Sequence, residues 1–253
     1  MGLASSVRSA LTRSPRLYRG ARRGAILARY ARKRVHEPDF EFFRGREPGL
    51  LLDIGANAGQ SALSFRAVNP GAILSIEPNP AHERDLRLAA RLIKGFEYRM
   101  CAVGAEPGRA TLYVPRYGRV ELTGEASLLP DDAARGFWVE AHTRAEDADL
   151  TLREVDVEVI AIDDLDISPS YVKIDVEGAE MDALLGMERT ITEHRPVLMI
   201  EGSDTSYPLL RPWLAERGFE AYGYDPATDA LFPKGEIPTL NIFFVHEDSA
   251  PRA

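Results

Sequence analysis

Residues 50–68 read LLLDIGANAGQSALSFRAV, and their order is strand, glycine turn, helix. A continuous apolar run of strand length passes through Gly55 and Gly59 into Ala62, Phe65 and Val68, which fall at helical spacing. The unit recurs. AILSIEPNP (72–80) is a second apolar strand ending at Glu77, and AHERDLRLAARLIKG (81–95) is an amphipathic helix stopped by Gly95. FEYRMCAVG (96–104) reads as a third strand. Strands alternating with helices at this spacing predict a parallel sheet with right-handed crossovers.

Residues 106–162 interrupt the rhythm. RATLYVP and VDVEVIAID read as strands on either side of a polar, acidic segment, an insertion long enough for a flap or small subdomain. Alternation then resumes with YVKIDV (171–176), a helix, RPVLMIEG (195–202), another helix, and FEAYGY and LNIFFVH as a terminal antiparallel pair. The expected fold is α/β: a seven-stranded, mostly parallel, doubly wound sheet carrying a β-containing insertion.

With 253 residues, 45% of them hydrophobic, the chain can bury a full core. Its lone cysteine, Cys101, excludes an intrachain disulfide and a cysteine-rich zinc site, which fits a cytoplasmic address. Charge is unevenly spread. Residues 1–48 hold 12 of the 31 basic and 4 of the 39 acidic side chains, a balance of +8, and the remainder carries -16. That segment reads as a basic arm, partly helical or flexible, and residues 49–253 as the catalytic domain. The arm is either solvated or touches a membrane surface or an acidic partner, and an organellar transit peptide is a further reading. Phosphate repulsion by the -16 part argues against a nucleic-acid partner.

In DIGANAG (53–59) the glycines permit a tight turn and close approach of a ligand to the backbone at a helix N-terminus. Glu77 ends the second strand, where an acidic side chain can accept from both ribose hydroxyls of an adenosine. A dinucleotide loop would place glycine where Asn57 stands, and Asp53 would repel a pyrophosphate. Asp53 instead suits a ligand with a positive amino group, such as S-adenosylmethionine.

YVKIDVEGAE (171–180) places Lys173, Asp175 and Glu177 on alternate positions of a strand expected near the middle of the sheet. Buried charges require partners or a solvent-filled crevice, and the crevice of such a sheet lies at the carboxyl ends of its strands. Lys173 is either a structural ion-pair partner or a member of the site. Asp175 and Glu177 are read as functional.

LLDIGANAGQSALSFRA, SIEPNP, CAVG, EASLL, IDDL and YVKIDVEGAEMDALLGMERTITEHRPVLMIEG together resemble the FkbM family of S-adenosylmethionine-dependent methyltransferases, over about residues 50–246. The resemblance implies a Rossmann-like class I fold and O-methylation of a hydroxyl on a sugar, glycan or polyketide-like natural product. It implies Asp53, Gly55, Asn57 and Gly59 around the methionine end of the cofactor, Glu77 at the ribose, Ala102 near the adenine and Ser127 in a substrate-side segment. Cys101 and Ala102 offer no acid to the adenine amino group.

An alcohol needs a base during attack. Asp175 or Glu177 is that base, or both, with Glu201 at the end of the next strand, hold a divalent cation such as Mg. His142, in the insertion, can reach over the site. Two other readings remain: an NAD-dependent oxidoreductase, and a non-catalytic binding protein on a degenerate methyltransferase fold.

Overall fold

The computed structural model describes residues 15–117, 120–135, 150–202, 206–233 and 241–249. The first three strands are β1 (Leu51–Ile54), β2 (Ile73–Ile76) and β3 (Phe96–Arg99). The interruption contributes β4 (Ala102–Val103), β5 (Gly108–Tyr117), β6 (Val120–Glu121) and β7 (Leu150–Ile160). Alternation returns with β8 (Tyr171–Ile174), β9 (Val197–Glu201), β10 (Phe219–Asp225), β11 (Ala230–Pro233) and β12 (Asn241–His246). The helices are α1 (Pro15–Ala31), α2 (Gln60–Val68), α3 (Glu83–Leu92), α4 (Pro130–Arg135), α5 (Glu180–Leu185), α6 (Glu188–His194) and α7 (Tyr207–Ala215).

The main sheet runs β11-β10-β12-β9-β8-β1-β2-β3. The β1, β2, β3, β8 and β9 pairings are parallel, whereas β12 pairs antiparallel with both β9 and β10. All seven expected core strands are present, and β11 extends the sheet to eight by pairing with the edge of β10. Every residue of β1, β2 and β8 is buried, as continuous apolar runs in a sheet covered on both faces require. Strand order reverses at β1, which opens a crevice between the carboxyl ends of β1 and β8.

Each face has its own core. Leu52, Ile54, Val172, Ile174 and Ile200 pack on one side. Leu51, Tyr171, Met199 and Phe243 pack on the other, against Phe40, Phe42 and Phe43. Those phenylalanines lie on a 3-10 turn, Pro38–Phe43, within the segment expected to be an arm. Phe43 meets Phe42, Phe65 and Tyr171 at ring-centroid distances of 5.3, 5.3 and 5.2 Å. Part of the basic segment is therefore core, and its boundary at residue 48 separates nothing structurally. α1 docks through Arg23, which pairs with Asp85 of α3; residues 1–14 lie outside the described residues.

The insertion forms a second sheet, β4-β7-β5-β6, in which β5 and β7 pair antiparallel from Gly108↔Val159 to Tyr117↔Leu150. Contrary to the expectation from sequence, residues 101–104 do not prolong the third strand. Ala102 and Val103 leave the main sheet and pair with Val159 and Ile160. No helix among the described residues is long and apolar enough to cross a membrane.

Candidate active site

The turn after β1 is built from left-handed backbone. Gly55 has φ +85°, Asn57 +50° and Gly59 +79°. At Gly55 a Cβ would sit 1.6 Å from the Asp175 carbonyl oxygen, so this turn and the one after β8 touch backbone to backbone. Gly59 acts elsewhere, because a Cβ there would contact Leu86 and Ala89; glycine seats α2 on α3. Asn57 tolerates its positive φ as few other residues do.

Glu77 ends β2 almost fully buried. Its Oε2 accepts the Asn57 N–H at 2.7 Å, and its Oε1 accepts the Asn79 N–H at 2.7 Å. Burial pushes its carboxyl up to about 7, outweighing the pull of those two backbone bonds toward the ionised form. Each oxygen keeps a further lone pair.

Glu77 lines a cavity of about 790 Å3 at the carboxyl ends of the strands. Gly55, Asn57 and Ala102 share that wall, and Asp175, Glu177 and Glu201 form another part of it. Gln60, at the start of α2, also lines the cavity, and its Oε1 is closed off from solvent with no partner. The second sheet and the 3-10 turn Thr123–Glu125 close one side, while α1 closes another.

Four of the residues named from sequence are not in the cavity wall: Asp53, Gly59, Ser127 and Lys173. Asp53 and Lys173 are register partners on β1 and β8, with Ser75 of β2 beside them. This polar row faces the same side of the sheet as Leu51, Tyr171 and Met199, where Phe40, Phe42 and Phe43 pack. Asp53 is fully buried, its Oδ2 takes the Ser75 hydroxyl proton at 2.7 Å, and its Oδ1 has no partner. Burial, opposed by Lys173, raises its carboxyl to about 6. Asp53 thus meets the interior, not a ligand's amino group. Lys173 is 1% exposed and donates to Asp175 Oδ2 at 2.7 Å. Burial favours its neutral form, but the carboxylates of Asp175, Glu37 and Asp53 prevail and keep it charged. It is an ion-pair partner of Asp175, which lines the cavity, and does not itself line it.

Ser127 acts from outside. Its hydroxyl donates to the Glu177 carbonyl at 2.6 Å and accepts the Leu129 N–H, clamping the second sheet to the turn after β8. Glu177 has itself left the strand: its φ is +51°, a conformation that costs a non-glycine residue about 1–2 kcal/mol. Burial, then the charges of Asp175, Glu125 and Glu180, push its carboxyl up to about 8. Asp175 and Glu201 titrate as a pair. Burial disfavours both charges, Lys173 keeps Asp175 ionised, and Glu201 holds the proton.

The residues present do not fit a divalent cation. One Asp175 oxygen is taken by the Lys173 ammonium. Among the described residues no three His, Cys, Asp or Glu groups come together as ligands. His142 lies outside the described residues. Sequence reasoning also passed over Gln60, Glu125 and the arm residues Tyr30, Arg34 and His36, all of which line the cavity.

A parallel sheet with a glycine turn at its switch point, an acid closing the second strand and an antiparallel β12 inserted beside β9 defines a Rossmann-like class I methyltransferase. The chain belongs to the FkbM family, whose Methyltransferase FkbM domain matches residues 53–221. A curated relative, methyltransferase sdnD of Sordaria araneosa, is 28% identical over 196 residues, covering 68% of this chain and 73% of that protein. Among solved structures, a methyltransferase FkbM from Methylobacillus flagellatus KT gives a TM-score of 0.49 at 19% identity, covering 82% of this chain and 50% of its own. This chain therefore spans about half the length of that protein. A precorrin-6y C5,15-methyltransferase from Geobacter metallireducens GS-15 gives 0.41 at 11% identity, covering 81% and 82%. Family membership favours methyl transfer over hydride transfer and over a non-catalytic scaffold.

Proposed function

We propose that the protein transfers a methyl group from S-adenosylmethionine to a hydroxyl oxygen of a sugar, glycan or polyketide-like acceptor. The observation that carries this reading is one cavity with Glu77, braced by two backbone N–H groups, in one wall and the strained, proton-holding Glu177 in another. Bound in the cavity, the cofactor supplies a methyl carbon made electrophilic by its sulfonium. The free lone pairs of Glu77 accept from the ribose hydroxyls, and the orphaned Gln60 Oε1 gives the cofactor's ammonium an acceptor. Cys101, Ala102 and Val103 line the same cavity and would wall the adenine.

Glu177 is the base. In its ionised form it takes the acceptor's hydroxyl proton as the oxygen attacks, so methyl leaves sulfur for oxygen while the proton goes to the carboxylate. Asp175 is the weaker candidate because Lys173 stabilises its charge and lowers its basicity. Ser127 holds the Glu177 peptide in place from the second sheet.

The test is a methyl-transfer assay over hydroxylated sugars and polyketide-like alcohols, with the wild type and Glu177→Gln. Expected are an O-methylated product and a kcat loss in the variant of about 100- to 10,000-fold, with cofactor affinity retained. Methylation at nitrogen or carbon, or full activity in the variant, would overturn it.

A further inference from the structure

The cavity lining has two chemically different parts: the domain contributes the carboxyl groups of Glu77, Glu125, Asp175, Glu177 and Glu201, whereas the N-terminal segment contributes Arg29 and Arg34. That segment precedes the matched domain, which begins at residue 53. The cavity, about 790 Å3, falls in the roughly 300–1,000 Å3 range of ligand pockets and extends from Glu77 to α1. That space is bounded by Ile26 and Tyr30 on one side and Leu112, Leu122 and Leu128 on the other.

Three other arginines of the segment are engaged with carboxylates. Arg23 pairs with Asp85, Arg44 with Glu41 and Arg46 with Asp229. Among the described residues, Arg34 has no carboxylate or hydrogen-bond partner for its guanidinium, and the Arg29 guanidinium makes only a 3.4 Å bond to the His36 carbonyl. The Arg34 N–H donates to the Arg29 carbonyl at 3.0 Å, so the turn that ends α1 brings the two backbones together, and both exposed side chains line the cavity. His36 is occupied by Ser64 and Glu37.

We infer that Arg29 and Arg34 form an anion subsite for the acceptor: a hydroxylated molecule with an apolar body and a carboxylate, sulfonate or phosphate group. The arginines attract that group, so the hydroxyl at the other end of the molecule is directed toward Glu177. The apolar walls hold the body between them. A planar guanidinium pair suits bidentate oxyanion contacts. Calling the ligand an acceptor rests on the methyl-transfer reading; the subsite does not.

The probes are 8-anilinonaphthalene-1-sulfonate and N-phenyl-1-naphthylamine, the same apolar body with and without the anion, titrated by fluorescence. Wild type is compared with Arg29→Gln/Arg34→Gln and with Arg32→Gln, an exposed neighbour outside the cavity wall. The double variant should lose about tenfold in sulfonate affinity, the effect of one or two charge-assisted contacts, and less than about twofold for the neutral probe. Arg32→Gln should change neither. No sulfonate binding by the wild type, equal binding in the double variant, or a parallel loss of both probes would overturn the subsite. So would loss of binding to phosphatidylserine vesicles in the double variant with sulfonate binding unchanged, which would assign the cations to a lipid surface. S-adenosylhomocysteine is titrated in parallel. A chain that fails to bind it but keeps the probe contrast loses the cofactor reading and keeps the subsite; the opposite result does the reverse.

Discussion

Replacing Glu77 by Gln tests the cofactor end of the cavity most sharply. The carboxylate accepts two backbone N–H groups, one on each oxygen, at 2.7 Å. An amide has only one acceptor oxygen, so one of those N–H groups must face an NH2 group and lose its bond. That rearrangement also costs the ribose a charged acceptor, and a hydrogen bond to a charged group contributes about 1.5–3 kcal/mol, which corresponds to about 10- to 150-fold in affinity. The pH dependence gives an independent signature. Ribose hydroxyls donate to the carboxylate, so binding favours the ionised form and affinity rises with pH. With Glu77 pushed up to about 7, the ionised fraction grows from about 0.1 at pH 6 to about 0.9 at pH 8, close to a tenfold gain in affinity. Calorimetric titration with S-adenosylhomocysteine at the two pH values reads both effects. Wild type should bind about tenfold tighter at pH 8, and Glu77→Gln should bind weakly at both. Flat wild-type affinity together with undiminished binding by the variant would refute the assignment of Glu77.

Four further outcomes follow from the same geometry. Because Glu177 is pushed up to about 8, wild-type kcat/KM should rise with pH toward a plateau above that value, and Glu177→Gln should abolish the rise. Lys173→Met leaves Asp175 and Asp53 without their cation and should destabilise the fold by about 3–5 kcal/mol by urea melt at pH 8. The loss should shrink at pH 5, where the abandoned carboxyls take up protons. Phe43→Ala should cost about 3–5 kcal/mol, a result foreign to a solvated arm. Glu77 and Glu177 are raised above their unfolded values, so the folded chain retains protons that the unfolded chain releases. Their stabilising contribution is full below about 4.5 and is lost as pH rises through about 7 to 8; urea midpoints across that window measure it.

The strand-turn-helix order of residues 50–68 and the acid at 77 were legible because continuous apolar runs and positive-φ glycines are local signals. The facing of the charged row was not. Alternation predicts Lys173, Asp175 and Glu177 on one side of a strand, but β8 ends at Ile174, so of the three only Lys173 lies on it, and Glu177 has turned into left-handed backbone. Alternation also does not reveal that both faces are covered, so that Asp53, Ser75 and Lys173 are buried. In the N-terminal segment the arginines obscured a cue that was present, the aromatic run of Pro38–Phe43. Ala102 and Val103 pair for only two residues with a partner more than fifty positions away, and nothing local marks that departure from the main sheet. Arg29 and Arg34 lie before the glycine turn in sequence and reach the cavity only through the docking of α1 on α3.

Titration of the chain at pH 7 with S-adenosylmethionine, beside NAD, in two buffers of different ionisation enthalpy is the most direct test. The account predicts one cofactor bound per chain, heats that differ between buffers because Glu77 releases a proton, and no heat with NAD. Binding of NAD without binding of the methyl donor would contradict it.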